Sequence, residues 1–188
     1  MERVDIVVRR ARCEDAEIIA QVVAMAIGDD ETLKQYCGEN YIATLTEIAA
    51  RPVTQYSWQY ALVAEVNGVT AGAIVGYDGA ELGLLREGTF SLLRERLGRV
   101  PTIADETQSG EYYLDSVAIL PPFRGIGVGE RLIEALCQRA SAEGHSRVGL
   151  IVDFDNPQAE KLYTRLGFAR VGTRIFFGHK MWHLQREI

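Results

Sequence analysis

The stretch Leu120-Pro121-Pro122-Phe123-Arg124-Gly125-Ile126-Gly127-Val128-Gly129 decides the reading of this chain. It lies between an apolar run over residues 112–120, which reads as a strand, and residues 127–142, which read as a helix. Leu132, Ile133, Leu136, Cys137 and Ala140 recur along one face of that helix. Three glycines at alternate positions remove Cβ atoms where the backbone turns tightly and meets a ligand. Their N–H groups can converge on an anion, and the helix behind them adds unsatisfied amides and the positive end of its dipole. Arg124 adds a charge suited to bidentate contact with phosphate oxygens. Together these make a pyrophosphate cradle, against the plainer reading of a flexible strand-to-helix turn. The Gly-x-Gly-x-Gly spacing misses the dinucleotide-binding fingerprint, and Glu130 after the last glycine excludes a P-loop.

Downstream, residues 147–152 read as a strand. In the block Asp155-Asn156-Pro157-Gln158-Ala159-Glu160-Lys161-Leu162-Tyr163-Thr164-Arg165-Leu166-Gly167-Phe168, Asp155 or Asn156 suits a helix N-cap, Pro157 a first turn and Gly167 a C-cap. The spacing predicts a helix over 156–166, in which Asn156 alone reads as a cap and Tyr163 alone as a core tyrosine. Residues 168–177 and 180–185 read as two closing strands.

Upstream, residues 6–10 read as a strand, 13–27 as a helix ended by Gly28, and 41–50 as a weaker helix closed by Arg51-Pro52. Asn67-Gly68 marks a tight turn joining strands over 60–66 and 69–77. Residues 83–97 look helical with Gly88 inside, so 78–110 reads as an inserted helix plus loop. The order β-α-α-β-β-insert-β-α-β-α-β-β makes an α/β chain whose mixed sheet carries helices on both faces, in one domain over residues 1–188.

The 188 residues carry Lys+Arg 20 against Asp+Glu 26, a formal net charge of -6. An acidic chain is a poor general binder of nucleic acid. Its 47% hydrophobic and 24% charged content is that of a soluble globular protein, not a disordered one. No apolar run reaches the ~20 residues that span a bilayer, and Met1-Glu2-Arg3-Val4-Asp5 has no apolar leader region. Cys13, Cys37 and Cys137 lack disulfide or zinc spacing, which fits a reducing cytoplasm. His179 and His183, on one strand, lack further ligands for a metal, and neither they nor His145 receives a catalytic role. Trp58, Tyr60, Phe176 and Phe177 read as core or interface surfaces.

Arg124-Gly125-Ile126-Gly127-Val128-Gly129 resembles the R/Q-x-x-G-x-G/A signature of the GNAT superfamily of N-acetyltransferases. Val117-Ala118-Ile119 followed by Pro121 is similar to the strand before it. Asn156-Pro157-x-Ala159-x-x-Leu162-Tyr163-x-x-Leu166-Gly167-Phe168 resembles the second signature block. The resemblance covers residues 112–168. It implies an α+β fold with a mixed, mostly antiparallel sheet of six to seven strands flanked by helices on both faces. It implies acetyl-CoA or a close acyl-CoA as cosubstrate, with no metal. Val117, Ala118 and Ile119 would pair with the pantetheine arm as an added strand does. Arg124, Gly125, Ile126, Gly127, Val128 and Gly129 would hold the pyrophosphate. Asn156 and Ala159 would lie near the pantetheine and Tyr163 near the sulfur. Homodimerisation is the superfamily's expectation.

An amine that attacks a thioester must first lose its proton, and the departing thiolate must gain one. Tyr163 is the expected proton donor. On a regular strand Glu111, Tyr113, Asp115 and Val117 share a face, so Asp115 is the first choice of base and Glu111 the second, beside a water wire or a plain solvated acid. The acceptor is expected to be a small-molecule amine, chosen by residues 28–51 and 78–110, whose Asp29, Asp30, Glu31, Asp105 and Glu106 read as solvated loop charges. Three functions compete: an N-acetyltransferase of small amines or of protein amines, a non-catalytic acyl-CoA sensor, and an unrelated nucleotide-phosphate binder.

Overall fold

The computed structural model describes residues 5–188; the reading of residues 1–4 as part of a leaderless N-terminus lies outside them. Seven strands form one sheet: β1 (Ile6–Arg10), β2 (Ala61–Val66), β3 (Val69–Asp78), β4 (Tyr112–Ile119), β5 (Arg147–Asp153), β6 (Ala169–Phe176) and β7 (His179–Glu187). Their order is β1-β2-β3-β4-β5-β7-β6. Every neighbouring pair is antiparallel except β4 and β5, so the expected mixed, mostly antiparallel sheet is what forms.

The helices are α1 (Ala16–Ile27), α2 (Asp30–Cys37), α3 (Tyr41–Ala50), α4 (Leu82–Leu97), α5 (Val128–Ala142) and α6 (Pro157–Arg165). Alternation along β2 and β3 separates two cores. Ala61, Val63, Ala73 and Val75 pack with α1 to α4 on one face of the sheet. Leu62, Ala64 and Ile74 pack with Leu132, Ile133 and Leu136 of α5 on the other. Each fully buried Leu or Ile contributes about 1.5–3 kcal/mol. Among the described residues no helix is long and apolar enough to cross a membrane.

Several elements follow from adjacent residues. Asn67 and Gly68 take positive φ (49° and 78°), the turn that matches the twist of β2 and β3. Asn156 caps α6 by accepting from the Ala159 N–H at 3.1 Å. Helix α2 corrects the reading of Asp29, Asp30 and Glu31 as loop charges: Asp29 caps it, accepting from the Thr32 N–H at 2.8 Å, and Asp30 and Glu31 sit in its first turn, where acids favour the dipole. Gly88 inside α4 has a packing reason, since a Cβ there would stand 2.1 Å from the Val53 carbonyl oxygen.

Two irregularities shape the centre of the sheet. β4 and β5 pair only at Tyr112–Val148 and Tyr113–Gly149, so beyond these residues the two strands no longer pair. In β4, Ser116 opposes Val75 and Leu114 opposes Gly76, which leaves Asp115 as a bulge. The bulge breaks the alternation after Asp115: Asp115 stays with Tyr113 on the face of Tyr77, whereas Val117 turns to the α5 face.

Candidate active site

The unpaired half of β4 lies between two cavities of about 780 and 570 Å³. Met25, Gly28, Val117, Ala159 and Tyr163 line both, so the cavities meet there.

The larger cavity takes Val117, Ala118 and Ile119 from β4, Arg124 and Gly129 from the loop after it, and Ala159 and Tyr163 from α6. Gly125 and Gly127 have φ of 77° and 90°, and the space where their Cβ atoms would stand is open. These conformations aim the loop backbone in a way that a side chain would disfavour. Gly127 is the N-cap of α5 and offers no side chain to its first amides. Ile126 is exposed, whereas the Val128 side chain is buried in the core and anchors the helix start. Arg124 lies at the mouth, its Nε donating to the Ile119 carbonyl at 3.0 Å. A diphosphate fits this arrangement of open amides, dipole and guanidinium.

The smaller cavity has an acidic floor. Asp115 lines it, its Oδ2 accepting from the Tyr77 hydroxyl at 2.9 Å and its Oδ1 from the Ser116 hydroxyl at 2.8 Å. Glu106 lines it too and is only 3% exposed. Gln55 Nε2 donates to Glu106 Oε1 at 3.0 Å, and Arg86 pairs with Oε2. Burial raises the Asp115 carboxyl to about 6 despite its two hydrogen bonds. Burial and the nearby Asp115 raise Glu106 to about 7, against the pull of Arg86. Two carboxyls shifted upward beside a cavity can take up a proton near neutral pH. Tyr163, where the cavities meet, is pushed by burial to about 12 and holds its proton.

The acetyltransferase (GNAT) family model matches residues 30–168.

The chain belongs to the GNAT acetyltransferase family.

A solved acetyltransferase structure superposes with a TM-score of 0.81 at 34% identity, covering 97% of this chain and 99% of that one. The N-acetyltransferase of Staphylococcus aureus Mu50 superposes at 0.83 with 26% identity, covering 95% and 99%. N-alpha-acetyltransferase RimI of Mycobacterium tuberculosis is 32% identical over 109 residues, 58% of this chain and 54% of that protein. The chain spans about half or less of the length of the curated relatives it matches.

Within this GNAT fold the residues expected at the site divide. Val117, Ala118, Ile119, Arg124, Gly129, Ala159 and Tyr163 line the larger cavity. Asn156 lines the smaller one while capping α6. Asp115 and Tyr163 are brought to the same cavity, but Glu111 lines neither. Its side chain lies over Gly149, and its oxygens accept from Thr107 Oγ1 at 2.7 Å and Gln185 Nε2 at 2.7 Å and meet His183 Nε2 at 2.8 Å. Burial pushes the Glu111 carboxyl up, but the contacts with His183, Gln185 and Thr107 outweigh it and hold the group below its ordinary range.

Glu106 corrects the reading of 105–106 as solvated charge: Asp105 remains exposed at the surface, whereas Glu106 is buried. Tyr56, Phe176 and Phe177 line the smaller cavity as well. Nothing adjacent in sequence marks Glu106, because its partners Gln55 and Arg86 stand 51 and 20 residues away. No group of three or more His, Cys, Asp or Glu residues is placed to hold a metal among the described residues.

Proposed function

We propose that this chain transfers the acetyl group of acetyl-CoA to the primary amine of a small molecule, by direct attack in a ternary complex. The observation that carries this reading is the meeting of the two cavities at Tyr163, with the glycine cradle on one side and the Asp115–Glu106 pair on the other. The diphosphate is held by Arg124 and the backbone of Gly125 to Gly129. Val117, Ala118 and Ile119 offer their unpaired strand edge to the pantetheine. Acetyl-CoA supplies an activated acyl carbon and a thiolate leaving group.

The chain's own residues position the amine and move its protons. Asp115, beside Glu106 on the cavity floor, accepts the proton from the entering ammonium. Tyr163 Oη keeps a proton for the departing sulfur, because burial holds the phenol neutral. A C–N bond forms and the C–S bond breaks: the first ammonium proton goes to Asp115, and the second, lost from the nitrogen after attack, restores the proton that Tyr163 gives to the sulfur. The walls of the two joined cavities hold the reactants together.

The test is release of free CoA thiol from acetyl-CoA with a panel of small amines and peptides, followed by mass spectrometry of the products. An acetylated small amine supports the reading. Tight acetyl-CoA binding with no turnover indicates a sensor, and product on peptides alone indicates a protein acetyltransferase. A thermal shift with ATP or NAD but none with acetyl-CoA would remove the acyl-CoA reading altogether.

A further inference from the structure

The smaller cavity is lined by five carboxylates, Asp29, Glu106, Asp115, Asp153 and Asp155, and by no lysine or arginine. Its one basic lining residue, His179, is bound through Nδ1 to Asp153 Oδ2 at 2.8 Å. Arg86 stands behind Glu106 and is not part of the lining. The acids fall into two groups by depth. Glu106 and Asp115 are at the buried floor, whereas Asp29 and Asp155 are exposed and Asp153 is half-buried. Apolar walls accompany them, with Tyr56, Leu150, Phe176, Phe177 and Met181 along the lining.

A second feature points to a ligand. Tyr113 is 2% exposed and lines this cavity, yet its hydroxyl makes no hydrogen bond among the described residues. The hydroxyl is not among the sealed polar atoms that lack a partner, so its free hydrogen-bonding capacity opens onto the cavity. A polar group that enters the cavity beside Glu106 and Asp115 would supply one.

Resting on the acetyl-transfer reading of the same site, we propose that the acceptor is a linear diamine. One amine reacts at the Asp115–Glu106 floor, and the second, still charged, is held at the rim by Asp153 and Asp155. An apolar wall with acids at both ends matches a methylene chain with a cation at each end. The aromatic faces of Phe176 and Phe177 add to the attraction for an ammonium passing them. A carboxylate in place of the second amine would face like charge, and the one basic residue of the lining, His179, is already bound to Asp153.

The experiment compares 1,5-diaminopentane, 1-aminopentane and 5-aminopentanoate as acceptors, with acetyl-CoA at saturation and binding of each amine followed by calorimetry. The diamine is expected to exceed the monoamine by about tenfold in kcat/KM, and the amino acid to fall below the monoamine by a similar factor. In Asp153→Asn and in Asp155→Asn the diamine's advantage should shrink to about twofold. The Asp155 side chain makes no hydrogen bond in the described fold, so that variant tests charge without disturbing structure. Equal use of diamine and monoamine, preference for the amino acid, or an advantage unchanged in both variants overturns the proposal. Acetyl-CoA binding with none of the three acetylated does so too, while leaving the cofactor half of the site standing. Failure to bind acetyl-CoA removes the acetyl-transfer reading and this inference together.

Discussion

The Tyr77 hydroxyl donates to Asp115 Oδ2 at 2.9 Å, reaching from β3 to the bulged residue of β4. Tyr77 also receives Gln55 Nε2 at 3.3 Å, and Gln55 in turn binds Glu106. One buried chain of polar groups therefore links the two carboxyls of the smaller cavity. It restrains the rise of the Asp115 pKa that burial causes.

If this pair takes the amine's proton, kcat/KM rises as pH increases through about 6 to 7, the range to which the two carboxyls are raised. Asp115→Asn should lower kcat by about 10²–10⁴-fold at pH 7 and abolish that limb. Tyr77→Phe removes a hydrogen bond that favours the charged carboxylate, so the limb should move to higher pH. Full pH–rate profiles of the three proteins decide this, and an unshifted limb in both variants would exclude Asp115.

The same burial makes stability pH-dependent. Asp115 and Glu106 titrate higher folded than unfolded, so the unfolded chain gives up their protons first. Their contribution is complete below the ordinary carboxyl range, near pH 4, and is lost as pH rises through about 6 to 7. Asp115→Asn should therefore stabilise the fold at pH 8 by about 1–3 kcal/mol and by much less at pH 4. Thermal melts at the two pH values measure the difference, and an identical gain at both contradicts the assignment.

Tyr163→Phe keeps the ring against Phe168, where the centroids lie 5.8 Å apart in an edge arrangement. Acetyl-CoA binding should persist while kcat falls by about 10–10³-fold. Poorer thiols, as leaving groups, should suffer more. Unchanged turnover at saturating substrate would take the proton-donor role from Tyr163.

Gly127 combines a φ of 90° with the N-cap position of α5. Gly127→Ala forces a side chain into the left-handed region at a cost of about 1–2 kcal/mol. The loop should shift to relieve that cost, weakening acetyl-CoA binding about tenfold or more. Calorimetry on the folded variant gives the result, and wild-type affinity would show that the cradle lies elsewhere.

Glu111 is 1% exposed, and its contacts with His183 and Gln185 tie β7 to the start of β4. Glu111→Ala strands Thr107, Gln185 and His183, and should destabilise the fold by about 2–4 kcal/mol. Glu111→Gln, by contrast, should leave the pH–rate limb in place once folded. Loss of the limb in that variant would restore Glu111 as a base.

Local chemistry made much of this molecule legible in the chain itself. The Asn67-Gly68 turn, the Asn156 cap and the glycines before α5 act through residues a few positions apart, and the strand and helix periods follow from which faces are buried. The larger cavity, proposed for the cofactor, is such a local object, one strand, one loop and one helix start in succession. The smaller cavity, proposed for the acceptor, depends on contacts that no neighbour in sequence announces. Glu106 and Glu111 are five residues apart and chemically alike, yet one lines a cavity beside Asp115 and the other is tied up by β7. A carboxyl's role depends on its solvation and its partners, and both are set by strands and helices arriving from 20 to 74 residues away. Only the folded sheet, with its bulge at Asp115 and its parting at β4 and β5, could assign them.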